Sequence, residues 1–255
     1  MIRSKFRQKS RKAQSGFTLI ELVVTITLLG VVGMMGVQSI LPIVRGYVDA
    51  RIVDRLYNEA KFSVERMDRE LRMAIPNTVR PVTDNTGIQF GKLKKAGYYS
   101  TGPADRSQIE ILEPLTINDQ LSIYNTNPNF FYFDSTKPTE SRIYTIDSLL
   151  GGNILQLNNK LKKDSPNRRY YQIDTPVTFY YSDNKLLRNF NYSIDINEYG
   201  TGGDGNALAT KVYSATFTYS PETMHRNAYI DIRLIMEEGD ITLEYNHRIH
   251  VRNTP

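Results

Sequence analysis

The feature that most constrains this chain is an uncharged run of 23 residues, Leu22 to Val44, reading LVVTITLLGVVGMMGVQSILPIV. As an α-helix it extends ~35 Å at 1.5 Å per residue, against a hydrocarbon core of ~30 Å, so it can span a bilayer once. Six basic residues, Arg3, Lys5, Arg7, Lys9, Arg11 and Lys12, precede it with no acidic residue among them. After it, Arg45, Arg51 and Arg55 are interleaved with Asp49, Asp54 and Glu59. That asymmetry predicts a cytoplasmic N-terminus and a large C-terminal part on the far side of the membrane. A cleaved secretory signal is a poor alternative, because its apolar region is only ~7–15 residues and ends at a small-residue site. The end of this run, LPIVRGY, has no such site.

The formal charge of +5 comes from the same N-terminal segment: beyond residue 16 there are 26 basic and 27 acidic residues. The rest of the chain is therefore close to neutral, and the positive total does not predict a polyanion-binding protein. The absence of Cys excludes disulfide scaffolds, thiol catalysis and Cys-ligated metals.

One carboxylate, Glu21, stands at the start of the apolar region, in the string Ser15-Gly16-Phe17-Thr18-Leu19-Ile20-Glu21. An acid at mid-bilayer costs ~2.5–3.5 kcal/mol on insertion scales, which prompts a search for its partner. A local account exists, since Thr18 and Glu21 have capping-box spacing and an acid suits the positive end of a helix dipole. That account leaves unexplained why the cap directly follows a polybasic stretch and a glycine.

This string, with its basic leader and uninterrupted apolar helix, resembles the processing signature of type IV prepilins and of the related pseudopilins of type II secretion. The resemblance implies that a membrane-embedded prepilin peptidase cuts between Gly16 and Phe17 and methylates the new amine of Phe17. It implies that Glu21 aids assembly by meeting the Phe17 ammonium of a neighbouring subunit. The organisation that follows is a cleaved leader (1–16), a transmembrane and assembly half of a helix (17–44), an amphipathic half (45–76) and a head (77–255).

The helical period continues past the membrane, with Val48, Ile52, Leu56, Ala60, Val64, Met67, Leu71 and Ala74 forming one apolar stripe. Glu65 with Arg69 and Asp68 with Arg72 are spaced for i,i+4 pairing. Pro76-Asn77 ends the pattern, so a single helix is predicted from about Thr18 to Ile75. Gly30, Gly33, Gly36 and Pro42 weaken its apolar half, at ~1 kcal/mol per Gly and ~3 for Pro. The helix is expected to bend or melt there; a kink in lipid and a loss of helix on filament packing both remain open.

After Pro76 the period changes to two, in short runs broken by Gly, Pro, Asn and Asp. The predicted strands are Gln108 to Leu112, Phe130 to Phe133, Arg142 to Ile146, Ile154 to Leu157, Val177 to Tyr181, Lys185 to Phe190, Lys211 to Tyr219, Tyr229 to Met236 and Ile241 to Val251. The clearest hairpin turns at Asp183-Asn184, which tolerate positive φ. The fold class is thus α+β: a long N-terminal helix packed on a mainly antiparallel, pilin-like β head. Most of the 17 Tyr fall in the head and are expected in its core and cross-strand pairs rather than in a ligand box. Within the family, the resemblance extends to minor pilins through YVDARIVDRLYNEAKFSVERMDRELRMAIPN and the chain end. Many major pilins carry a C-terminal disulfide, which a chain without Cys lacks.

No G-x-S-x-G, H-E-x-x-H or G-x-x-x-x-G-K-[ST] occurs, so no enzyme activity is expected. His247 and His250 differ by three and point to opposite faces of a strand. The segment 195–206 is rich in oxygen ligands, but Tyr199 and Asn206 occupy positions where an EF-hand needs other groups. A solvated Gly-rich turn is the simpler reading; calcium is the alternative cofactor, held by Asp195, Asn197 and Asp204, and some pseudopilins hold calcium in their heads. Lys160, Lys162, Lys163, Arg168 and Arg169 beside Tyr170 and Tyr171 could meet single-stranded nucleic acid. Asp164 interrupts that cluster and the head is nearly neutral, so nucleic acid is not an expected partner. The expected partners are prepilin peptidase, other pilins and the inner-membrane assembly platform. The resemblance implies a processed structural subunit, in a pilus or a secretion pseudopilus; a head that binds glycan or DNA is a further alternative.

Overall fold

The computed structural model describes residues 16–101, 106–132, 140–195, 197–200, 205–221 and 228–251. The chain divides into two compact units, Met1–Arg51 and Ile52–Pro255. Helix α1 (Leu19–Arg72) is continuous over 54 residues. Gly30, Gly33, Gly36 and Pro42 lie within it without interrupting it.

In the first unit α1 is exposed along its length, and it is long and apolar enough to cross a membrane. Its hydroxyls bond backward to the helix: Thr25 to the Leu22 carbonyl at 2.9 Å, Thr27 to that of Val24 at 2.9 Å and Ser39 to that of Met35 at 3.0 Å. These polar side chains therefore bring no unsatisfied group into lipid.

In the second unit the predicted stripe is buried, with Leu56, Ala60, Val64, Met67 and Leu71 fully inaccessible. Each large side chain among them contributes ~1.5–3 kcal/mol by burial. The opposite face carries Asp68–Arg72 at 2.8 Å and Arg66–Glu70 at 3.4 Å; Glu65 pairs with Lys61 at 3.9 Å rather than with Arg69. The helix stops short of Ile75 because its last amides turn tighter, Met73 N–H donating to Glu70 and Ala74 N–H to Leu71, both at 3.1 Å. Ile75 N–H then donates to Gly91 at 2.9 Å, so the segment is captured by a strand.

Among the described residues twelve strands follow: β1 (Arg80–Pro81), β2 (Gly87–Thr101), β3 (Gln108–Ile111), β4 (Gln120–Ser122), β5 (Ile143–Gly151), β6 (Ile154–Leu157), β7 (Arg169–Ser182), β8 (Lys185–Phe190), β9 (Asn206–Ala209), β10 (Val212–Ser220), β11 (Tyr229–Glu238) and β12 (Ile241–His250). All pairings are antiparallel, in a nine-stranded sheet ordered β1-β2-β3-β6-β5-β4-β7-β8-β9 and a three-stranded sheet β10-β11-β12. The fold is α+β. Asp183 and Asn184 take φ of 50° and 58°, the left-handed values of a tight β7–β8 turn.

Because β2 also pairs with β7, the path β2-β3-β6-β5-β4-β7 returns to its start and closes a small barrel. Its interior is a separate core of Ile109, Leu121, Tyr144, Ile146, Leu155 and Tyr170, among others. The main core lies elsewhere, where the α1 stripe meets Ile88, Phe90, Val177 and Phe179 of β2 and β7 and Phe217, Ile232 and Leu234 of β10 and β11.

The strand expected at Phe130 to Phe133 is a correction. Residues Pro128–Phe131 form a helical turn, α2, capped by Asn127, whose Oδ1 accepts from Asn129 N–H at 2.9 Å. Pro128 presets the first turn, and Phe131 and Tyr132 are buried edge to face at 5.1 Å. Phe133 lies outside the described residues.

Candidate processing and assembly site

Gly16 and Phe17 precede α1 without secondary structure and are exposed; Phe17 is 71% accessible. Thr18 caps the helix: its carbonyl accepts from Leu22 N–H at 3.2 Å and its Oγ1 from Glu21 N–H at 3.3 Å. The hydroxyl donates to Glu21 Oε2 at 3.5 Å, at the limit of a hydrogen bond. Glu21 therefore stands in the first turn, exposed, with no cationic partner among the described residues. Between Leu19 and Val44 it is the only charged residue. The site presents an exposed Gly16–Phe17 peptide directly before a helix that carries one carboxylate on an apolar surface.

A Cβ added at Gly30, Gly33 or Gly36 would meet nothing within 4 Å. The chain's own packing does not require glycine there, so a need for it arises from the helix backbone or from another molecule.

The candidate calcium loop turns its oxygens toward an internal cation. Arg80, 8% exposed, donates through Nη2 to the carbonyls of Asp195 at 3.0 Å and Glu198 at 2.9 Å. Its Nε donates to Gln89 Oε1 at 2.5 Å, and its guanidinium lies 3.7 Å from the Tyr132 ring and 4.5 Å from that of Tyr199. Burial pulls Arg80 below its ordinary pKa, opposed by the neighbouring phenols and Asp195. Gln89 also donates to the Glu198 carbonyl and to Tyr192 Oη, both at 3.0 Å. Burial pushes Tyr192 up to about 12, against the hydrogen bonds from Thr178 and Gln89. Asp195 Oδ1 accepts from Asn197 N–H at 2.7 Å, an Asx turn. Asp204 lies outside the described residues. Among the described residues no group of three or more His, Cys, Asp or Glu is placed to hold a metal. Sequence reasoning missed Arg80, since Asn77-Thr-Val-Arg80-Pro81 has no motif that marks a buried cation.

Of the two rings in the Lys160–Tyr171 segment, Tyr171 is half-buried and Tyr170 points inward. Tyr170 is 1% exposed inside the barrel, and Lys163 lies over the Tyr124 ring at 5.1 Å. Tyr99, Tyr132, Tyr144 and Tyr180 are also buried, as expected of core rings, while Tyr98 and Tyr213 are exposed. His247 is half-buried and His250 exposed, on opposite faces of β12. His225 lies outside the described residues.

Residues 11–37 match a family described as the prokaryotic N-terminal methylation motif. No curated protein and no solved structure matches the chain.

Proposed function

We propose that this chain is the precursor of a minor type IV pilin, cut between Gly16 and Phe17 by prepilin peptidase and methylated on the new Phe17 amine. The methylation motif, joined to an apolar helix able to cross a bilayer, supports a type IV pilin-like or pseudopilin-like protein. The observation that carries the reading is Glu21: one carboxylate on an apolar helix, exposed and without a cationic partner among the described residues. The Phe17 amine freed in a neighbouring subunit supplies that cation in a dry contact, where losing either partner costs ~3–5 kcal/mol.

In this proposal the chain waits in the inner membrane, N-terminus cytoplasmic and head periplasmic, until an assembly platform extracts it into a pilus with other pilins. The head is large relative to its stem, which favours a tip or initiation complex over the repeating shaft. The finer assignment, to the O-type minor pilin of mannose-sensitive haemagglutinin pili with a role in surface attachment, rests on the resemblance of residues 47–77 and of the chain end 250–255. The J-type pseudopilin of type II secretion shares the N-terminal chemistry. No enzymatic role is proposed.

The test is Glu21→Ala in a strain lacking the native copy. Membrane insertion is expected to persist while the protein disappears from sheared filaments; normal incorporation would reduce Glu21 to a helix cap. Deleting the gene separates the two systems: loss of surface pili with intact protein export supports the pilus, and the reverse supports secretion.

A further inference from the structure

A cleft of about 410 Å³ opens where the chain leaves α1, lined by residues 72–76, the middle of β2 and the start of β7. Its lining includes two guanidiniums, Arg72 and Arg169, and no carboxylate. Three other clefts among the described residues differ in charge. One beside β5 has Asp174 and no cation. One on the three-stranded sheet has its arginines engaged, Arg233 with Glu244 at 2.9 Å and Arg248 with Asp231 at 2.7 Å. A third, beside the β7–β8 turn, mixes Lys185 and Lys211 with Asp183 and Glu237.

Arg72 uses its Nε on Asp68, at 2.8 and 2.9 Å from the two carboxylate oxygens. Arg169 forms no ion pair among the described residues; its guanidinium lies 5.9 Å from the Tyr98 ring, and the phenols of Tyr98 and Tyr171 favour its charged form. Beside it Tyr98 and Met73 are 65% and 60% exposed, an apolar platform next to a cation. The platform stands on fixed backbone, because Gly97 packs so closely on the Tyr170 ring that an added Cβ would lie 2.7 Å from its hydroxyl.

Such a cleft suits a ligand with one compact anionic group and one flat apolar face. A guanidinium fork matches a carboxylate in two parallel hydrogen bonds, and an exposed aromatic ring covers a C–H face. A nucleic acid strand needs cations along its backbone. Along β2 they do not continue: Lys92, Lys94 and Lys95 face Asp174, Asp119 and Glu113 at 2.6, 3.6 and 3.7 Å. A volume of this order holds one or two sugar rings at the low end of ligand-pocket sizes.

We propose that the Arg72–Arg169–Tyr98 cleft binds a uronic acid unit of an acidic polysaccharide, with the carboxylate on Arg169, Arg72 adding to the field, and the sugar ring against Tyr98. The proposal stands on the head and does not rest on the N-terminal motif.

The experiment is titration calorimetry of the full chain in detergent micelles with three probes: an oligouronate, the same oligosaccharide with its carboxyls reduced, and a single-stranded oligonucleotide of equal charge. Binding of the oligouronate is expected, with no measurable heat from the other two. Arg169→Gln and Tyr98→Ala are each expected to weaken it about tenfold or more, the size of a lost charge-assisted or stacking contact. Tyr98 is exposed and Arg169 is half-buried without an ion pair among the described residues, so the melting temperature of each variant should stay within a few degrees of the parent. Equal affinity for the carboxyl-reduced sugar, tighter binding of the oligonucleotide, no binding of any probe, or unchanged oligouronate affinity in both variants would each overturn the proposal. None of these results would bear on cleavage at Phe17.

Discussion

Removing Glu70 tests how the amphipathic half of α1 is held in the head. Arg188 of β8 reaches Glu70 with Nε at 2.9 Å from both carboxylate oxygens and Nη2 at 2.8 Å from Oε2. The side chains are 8% and 18% exposed, so this ion pair is mostly out of water. Breaking such a pair from one side costs ~3–5 kcal/mol, because the remaining charge stays buried and unpaired. The partial exposure of Glu70 and the Phe190 ring 4.6 Å from the guanidinium reduce the penalty. We expect Glu70→Ala to destabilise the head by ~2–4 kcal/mol, or a fall of roughly 4–16 °C in melting temperature for a domain of this size. Arg188→Ala should cost less, since Glu70 keeps Arg66 at 3.4 Å on its open side. With apolar residues at both positions the loss should be smaller than the sum of the singles, giving a coupling energy of ~1–3 kcal/mol. With no Trp and 17 Tyr, the assay is urea unfolding of the full chain in micelles followed by tyrosine fluorescence. Singles within ~0.5 kcal/mol of the parent, or strictly additive doubles, would refute the reasoning.

Two further outcomes follow from the head. Burial pushes the Asp119 carboxyl up, but bonds from the Thr116 amide and hydroxyl and from Gln172, with Lys94 nearby, outweigh it and hold the pKa below its ordinary value. A depressed native value stabilises the fold above the unfolded carboxylate range, near pH 4, and that contribution is lost as pH falls through the native value. Asp119→Asn should therefore flatten the acid side of a melting-temperature profile below about pH 4; identical slopes in variant and parent would count against it. Gly91→Ala places a methyl inside the Phe131 ring and should cost ~1–3 kcal/mol by overpacking, read by the same urea titration; a neutral substitution would mean that α2 moves freely.

What the sequence revealed was mostly local. The α1 stripe, the β7–β8 turn and β6 follow from period and turn chemistry within a few residues, and the N-terminal string is legible because its chemistry is contiguous. The longest strand, β2, escaped because Gly91 and Gly97 interrupt its pattern and bulges between Gly91, Leu93 and Lys95 shift its alternation. Each glycine accommodates a ring, Phe131 or Tyr170, from a distant segment, so the reason for its place is tertiary. The same holds for barrel closure, which joins Gly87 to Tyr180 and Tyr98 to Arg169. At Phe130 to Phe133 a short run between turn residues reads as a strand, whereas Asn127-Pro128 carries the cap of a helical turn. Arg80 and the Arg72–Arg169 cleft are assembled only by folding; neither has a signature in the linear order.

The account depends most on what becomes of the basic leader. Intact mass spectrometry of the protein from membranes, with and without active prepilin peptidase, measures this directly. The account predicts a chain beginning at Phe17 with one methyl on its amine when the peptidase is active, and the full-length precursor when it is not. A chain that keeps Met1 or Ile2 in both strains would contradict it.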